Sequence, residues 1–489
     1  MKKADVFGKD VAQKIALLAV APIEGRYSDV SDDLNEYFSE FALMQYRLRV
    51  EVSWLIFILE NVKDLPALNG YQIRQKYSSN HTPPYNVDSV ITEAIMNIYE
   101  SFDLDSAVRV KKIEAKTKHD VKAIEYYIDE KLDVLNLGYL KSLVHIGLTS
   151  EDVNNTAYAL MIREFIDFVW AEEAAELVKV LKETSNDLIS VPMLGKTHGQ
   201  AASPVTVGKS FAVYINRLQH IFKNINHIDI KAKFNGATGC YSALAVAFPD
   251  EDWMRLTKLF IESLENIKFN PVTEQIESHD YMIDIFDQIR HFNNIICNID
   301  TDMWMYISRE VFKQIPVAGE VGSSTMPQKI NPISFENSEG TSWVANGLLQ
   351  AFSNKLVFTR WQRDLSDSTV QRYIGEAFGL SLLVIRNLLK GLKRCAVNEE
   401  FLAEELNNNW AVLAEPLQTM GRKYGDPNAY ERLKDMTRGK KVTEDDIRNY
   451  ISSLGFLSDE DKETLMELTP DTYTGYAERI TRSVELIWS

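Results

Sequence analysis

The sequence predicts an all-α protein built on long helices, and three apolar stripes carry that prediction. Ile285, Ile289, Phe292, Ile296, Ile299, Met303 and Tyr306 recur at alternating spacings of 4 and 3, which is one face of a helix of about six turns. Val207, Phe211, Tyr214, Leu218, Ile221, Ile225 and Ile228 form a second stripe, and Ile162, Ile166, Val169, Ala174, Leu177 and Leu181 a third. Near-heptad spacing kept up for this long implies helices packed side by side at shallow angles, as in bundles. The flanks of each stripe are also rich in apolar residues, so a second buried face, between subunits, is expected.

Residues 1–130 form an N-terminal region of shorter helical stretches. It includes a polar segment at 69–90 containing Pro83-Pro84, read as a surface excursion. Residues 131–380 hold the long stripes. A helix start near 151 is announced by Thr149-Ser150-Glu151-Asp152, with hydroxyls at the cap and carboxylates in the first turn. Residues 381–489 carry shorter helices with charged faces, among them the stretch Arg438-Gly-Lys-Lys441.

Composition narrows the function. A formal net charge of −17 argues against non-specific nucleic-acid binding, although local patches still admit anionic substrates. No apolar run approaches the roughly eighteen residues of a membrane span. The run at 15–21 is short, and Lys9, Asp10 and Lys14 precede it, so it reads as part of the fold rather than a secretory signal. Cys240, Cys297 and Cys395 are scattered and odd in number, which suits a reducing cytoplasm, and none sits in a metal-ligand pattern.

Four stretches concentrate chemistry. In Lys196-Thr-His-Gly-Gln200 a histidine, the side chain suited to proton transfer near neutral pH, lies beside a hydroxyl, a glycine and an amide; alone it reads first as a structural histidine. Residues 148–155 combine a helix N-terminus with hydroxyls, which serves either as a cap or as an anion site. Between Thr359 and Arg372, three arginines interleave with Ser366, Ser368 and Thr369, a pattern suited to binding phosphate or carboxylate. Residues 319–332 form a glycine-rich loop holding Ser323, Ser324, Lys329 and Asn331. A serine acts as a base there only if its alkoxide is stabilised in a water-excluded site.

The stretch Gly322-Ser-Ser-Thr-Met-Pro-Gln-Lys-Ile-Asn-Pro332 resembles the signature loop of the fumarase/aspartase superfamily. The resemblance runs from Pro22-Ile-Glu-Gly-Arg-Tyr27 through Trp361-Gln-Arg-Asp-Leu-Ser-Asp-Ser-Thr369 to Leu413-Ala-Glu-Pro416. With His119-Asp-Val-Lys-Ala and Thr149-Ser-Glu-Asp it is nearest to the branch acting on succinylated purine nucleotides. It implies a three-domain fold with a central bundle of long helices. It also implies a homotetramer with a twenty-helix core, active sites shared between subunits, and no metal or organic cofactor. The implied reaction is β-elimination of fumarate from adenylosuccinate and from SAICAR, with Ser323 as general base and His198 as general acid. The implied substrate-binding residues are Arg26, Tyr27, Lys118, His119, Asp120, Thr149, Ser150, Gln275, Lys329, Asn331, Asn337, Arg363, Ser368, Thr369 and Arg372. Three positions depart from the pattern: Lys118 stands where asparagine is common, Ala201 where proline is, and Gln328 where histidine occurs. Two alternatives stay open, an argininosuccinate-cleaving relative and a non-catalytic scaffold of the same fold.

Overall fold

The computed structural model describes residues 3–76, 84–317, 319, 322 and 325–485. Helices dominate it, and the described strands are short segments forming four two-stranded pairs. The chain divides into two compact units, each assembled from three segments. The first is Met1–Glu172, Asn224–His291 and Trp343–Leu383; the second is Glu173–Lys223, Phe292–Ser342 and Val384–Ser489.

The stripes become helices. The Asp280–Ser308 helix buries Ile285, Ile289, Phe292, Ile296, Ile299 and Met303, and the Val207–Asn226 helix buries Val207, Phe211, Tyr214, Leu218, Ile221 and Ile225. The third stripe holds except at one step. A π-helical turn over Ile166–Trp170 joins the Ser150–Phe165 helix to the Ala171–Asp187 helix, and Trp170 is buried where the sequence points to Val169. A π turn adds one residue to the local repeat, which moves the buried face on by one position.

In the first unit the Glu40–Asn61 helix starts at Ser39, whose hydroxyl accepts the Ala42 amide at 3.0 Å. Trp54 of this helix is fully buried among Phe57, Phe234 and Phe260, and its indole N–H donates to the Ile146 carbonyl at 3.1 Å. That bond fixes the loop leading into the Ser150–Phe165 helix. The 69–90 segment is a two-stranded antiparallel pair, Arg74–Lys76 with Tyr85–Val87; residues 77–83, including Pro83, lie outside the described residues. Its anchor is Arg74, whose guanidinium donates to the Leu59 and Val62 carbonyls at 2.9 and 2.8 Å. Carbonyls at a helix C-terminus have no intrahelical partner, so a cation there is favourable.

In the second unit, residues 410–465 pack their own core around Trp410, Leu417, Leu433, Ile447 and Ile451. On the Asp280–Ser308 helix, Asp300 is buried, 1% exposed. Burial pushes its carboxyl up to about 8; Ser338 offsets part of this and Glu339 adds to it. The Ser338 hydroxyl itself donates to the Val384 carbonyl at 3.1 Å. A carboxyl whose pKa is higher folded than unfolded holds a proton that the unfolded chain has released. Asp300 therefore costs stability progressively as pH rises from about 4 to about 8. Asp300→Asn is expected to gain on the wild type by up to about 1.4 kcal/mol per pH unit across that window, and to gain nothing further above it. Urea midpoints at pH 5, 7 and 8.5 test this, and a pH-independent difference would contradict it.

Candidate active site

Much of the predicted chemistry of the first unit gathers around the N-terminus of the Ser150–Phe165 helix. The cap is the one the sequence announces: the Thr149 amide donates to Asp152 Oδ2 at 2.8 Å. Asp152 does more than cap. Its carboxylate accepts the Asn235 amide at 3.0 Å and sits 2.8 Å from Lys233 Nζ, and both side chains are fully buried. Lys233 Nζ also donates to the Gly236 carbonyl at 2.8 Å, and Asn155 bonds the Lys233 backbone on both sides. This buried pair ties the 231–236 segment to the helix start.

Glu151, next to Asp152, faces Arg363. Arg363 Nη2 lies 3.0 Å from Glu151 Oε2 and 3.8 Å from Asp367 Oδ1, and Nη1 is 3.4 Å from Gln275 Oε1. Gln275 in turn donates to the Ala237 carbonyl at 3.1 Å. His279 completes the pocket: it is fully buried, and its Nε2 lies 2.9 Å from Gln371 Nε2. Burial pulls its pKa down to about 4, so the imidazole is neutral at physiological pH. Ligand atoms of Glu151, His279 and Asp367 lie within 4.8 Å of one another, a spacing that a metal ion could bridge. The Arg363 guanidinium already supplies the positive charge there, so the cluster is read as an ion-pair pocket.

A second network adjoins through Asn154, whose Oδ1 accepts from Arg47 Nε at 2.8 Å. Asp120 Oδ2 takes Arg47 Nη2 at 2.8 Å and Arg372 Nη2 at 3.2 Å, while Arg372 Nη1 reaches Glu40 at 2.8 Å. Burial alone would raise the Asp120 carboxyl, but the two guanidiniums and the Val121 amide outweigh it and hold the pKa below its ordinary value. Beneath the cap, His145 Nδ1 lies 2.6 Å from the buried Glu51. Burial would lower the His145 pKa, and Glu51 and Glu125 reverse that and raise it.

The structure thus separates the three arginines of the 359–372 block. Arg363 is clamped, Arg372 is shared between two carboxylates, and Arg360 is solvent-facing and pairs with Asp364 at 3.3 Å. Ser368 and Thr369 lie on the Ser366–Gln371 helix, half-buried and exposed respectively. Ser150 begins its helix, half-buried. His119 caps the Asp120–Val134 helix, its Nδ1 accepting the Lys122 amide at 3.2 Å. Lys118 is the C-cap of the preceding helix at φ +57°. Lysine holds that left-handed conformation less readily than asparagine would. Arg26 is exposed, its guanidinium 6.0 Å from the centre of the Tyr27 ring.

The remaining predicted residues belong to the second unit. Strands Pro192–Thr197 and Gln200–Thr206 pair with Thr197 opposite Gln200, leaving His198-Gly199 as a two-residue turn with φ of +52° and +72°. This is the turn that matches strand twist, and it explains the glycine. It also carries His198 to an exposed hairpin tip. Ser323 lies outside the described residues, as does Ser324. Of the rest of the loop, Lys329 is exposed with its amide on the Met326 carbonyl at 3.0 Å, and Gln314 donates to the Ile330 carbonyl at 2.7 Å. A Cβ on Gly322 would overlap the Lys329 carbonyl oxygen, so only glycine fits there. Asn331 lines a cavity of about 110 Å³ with Phe335, and Asn337 is exposed on the Ile333–Leu356 helix.

Sequence reading missed Arg47, Glu51, Lys233 and the role of His279. A signal existed for two of them: Arg47 and Glu51 stand at positions of the Glu40–Asn61 helix where its apolar repeat, Leu43, Val50, Trp54, Ile58, calls for a buried side chain. A charge there has to be paired.

Comparison with known proteins places this architecture. A lyase family profile matches residues 25–347, and an adenylosuccinate lyase C-terminal profile matches residues 359–474. The adenylosuccinate lyase of Haemophilus influenzae is 42% identical over 466 residues, covering 95% of this chain and 98% of that protein. The Escherichia coli K12 adenylosuccinate lyase is 40% identical over 465 residues, 94% of this chain and 97% of its own. Among solved structures, the 3-carboxy-cis,cis-muconate lactonizing enzyme of Pseudomonas putida superposes with a TM-score of 0.70 at 18% identity, over 92% of this chain and 95% of its own. A fumarate lyase from Mesorhizobium sp. BNC1 superposes at 0.69 and 16%, over 93% and 97%. These two likenesses speak for the fold, and the near-full-length identities speak for the family: the chain belongs to the adenylosuccinate lyases.

Proposed function

We propose that this chain cleaves adenylosuccinate to AMP and fumarate, and SAICAR to AICAR and fumarate, by β-elimination in purine nucleotide synthesis. The observation that carries the reading is near-full-length identity of 40% or more to adenylosuccinate lyases, in a chain holding the 322–332 loop. Ser323 takes the proton from the succinyl carbon next to a carboxylate. The C–H electron pair becomes the fumarate double bond as the C–N bond breaks, and His198 protonates the departing nitrogen. Charge building on the carboxylate is met by Lys329 and loop amides, with Asn331 and Asn337 beside them. Asp120, Gln275, Arg363, Ser368 and Arg372 hold the nucleotide end.

The working enzyme is a homotetramer in the cytoplasm, with sites shared between copies. Large apolar side chains left exposed in one chain, among them Trp304, Met305, Trp343 and Val344, suit coverage by other copies. The test is to mix purified protein with adenylosuccinate, without added metal, and follow fumarate and AMP while light scattering reports mass. Equal release of both by a tetramer is expected. Fumarate from argininosuccinate instead would overturn the substrate, and release from neither would favour the scaffold reading.

A further inference from the structure

We propose that Glu151 is a positioning residue for Arg363: with Asp367 it clamps the guanidinium against Gln275, and so sets how tightly the site holds its anionic nucleotide. The inference rests on the functional reading above. Glu151 sits in the first turn of a rigid helix and is 1% exposed, whereas Arg363 lies in an irregular stretch ahead of the Ser366–Gln371 helix. An arginine without regular backbone around it takes its direction from its partners, and those given to it here are Glu151, Asp367 and Gln275. Glu151 Oε2 faces Arg363 at 3.0 Å and is braced by Asn154 Nδ2 at 3.3 Å, while Oε1 has no hydrogen-bond partner among the described residues. One oxygen is thus committed to the clamp, and the other is free to take a proton.

Groups from every neighbouring segment bear on this carboxyl: Arg363 and Asp367, Lys233, His279, and the hydroxyls of Tyr158 and Tyr281. Burial pushes the Glu151 carboxyl up to about 7, against the pull of Arg363, and Asp367 adds to the rise. His279, pulled down to about 4, does not titrate alongside it. As pH falls through about 7, Glu151 gains its proton and the charge holding Arg363 is lost. Nucleotide affinity through Arg363 is then lost on the acid side and kept on the alkaline side.

The experiment uses the full-length protein and two readouts. Calorimetric binding of AMP at pH 6.5 and 8.5 is compared between wild type and Glu151→Gln, which keeps shape but removes the charge. Ionisation of the AMP phosphate near pH 6 affects both proteins alike. Glu151→Gln is expected to bind about tenfold more weakly at pH 8.5, with most of the wild type's pH dependence gone. In turnover, KM for adenylosuccinate is expected to rise about tenfold while kcat falls less than about threefold. In an Arg363→Gln background, Glu151→Gln is expected to add nothing, which a merely structural role would not produce. Unchanged KM and AMP affinity, or an equal effect with and without Arg363, overturns the inference. Should Glu151→Gln not fold, Asp367→Asn replaces it in the same cycle with the same two outcomes. A wild type that neither binds AMP nor cleaves adenylosuccinate brings down the functional reading; an active wild type with a silent Glu151→Gln brings down this inference alone.

Discussion

Ser323→Ala is expected to lower kcat for adenylosuccinate cleavage by about a thousandfold or more while KM stays within about threefold. Removing a positioned base forfeits roughly two to four orders of magnitude of general-base catalysis, and substrate binding does not depend on it. On the proposed reading the first serine of the loop takes the proton, while Lys329 is a cation and Asn331 an amide, neither of them suited to that step. His198→Gln is expected to cost about a hundredfold by the same reasoning, since the amide donates a hydrogen bond without giving up a proton. Stopped-flow release of fumarate, with equilibrium binding of substrate to the Ser323→Ala protein, checks both halves. Retention of a tenth of wild-type kcat by Ser323→Ala would mean that another group takes the proton.

The largest effect on stability is expected from Lys233→Met. Lys233 and Asp152 are both fully buried, 2.8 Å apart, with Lys233 Nζ also on the Gly236 carbonyl. Methionine matches the shape of the lysine stem but leaves Asp152 with no buried counter-charge. Removing one partner of a buried pair typically costs about 3–5 kcal/mol, because the remaining charge stays desolvated. Backbone amides of Thr149 and Asn235 still reach Asp152, so the lower half of that range is expected. Adding Asp152→Asn should recover part of the loss. Urea midpoints of the single and double variants measure the coupling, and a Lys233→Met protein as stable as wild type would show that the amides alone satisfy the carboxylate.

Some of the site was legible in the chain before any fold was known, because its determinants are local. Cap chemistry at 149–152 and the glycine of the His198 turn act within a few residues, and so does Gly322, pressed against the Lys329 carbonyl. The helices were legible for a similar reason, since an apolar repeat of 3 and 4 has one geometric meaning. That reading slips at Val169 for Trp170, because of a π turn that no periodicity announces, and at Ile228, which lies past the end of the Val207–Asn226 helix. The arginine block was legible as a place where anions are handled but not in its parts. Charge pattern alone gives Arg360, Arg363 and Arg372 equal standing, and the structure leaves one in solvent, sets one half-buried against two carboxylates and shares the third.

By itself, then, the sequence determined the helical class, the helix starts, the tight turn at His198 and the family loop, because each follows from neighbours along the chain. Only the tertiary structure decided that Gln275 and Arg363 meet the buried Glu151, His279 and Asp367 in one pocket, and that Lys233 closes on Asp152. Those meetings join segments far apart in sequence. They are set by how buried faces pack, and a buried charge must find its partner wherever packing brings one.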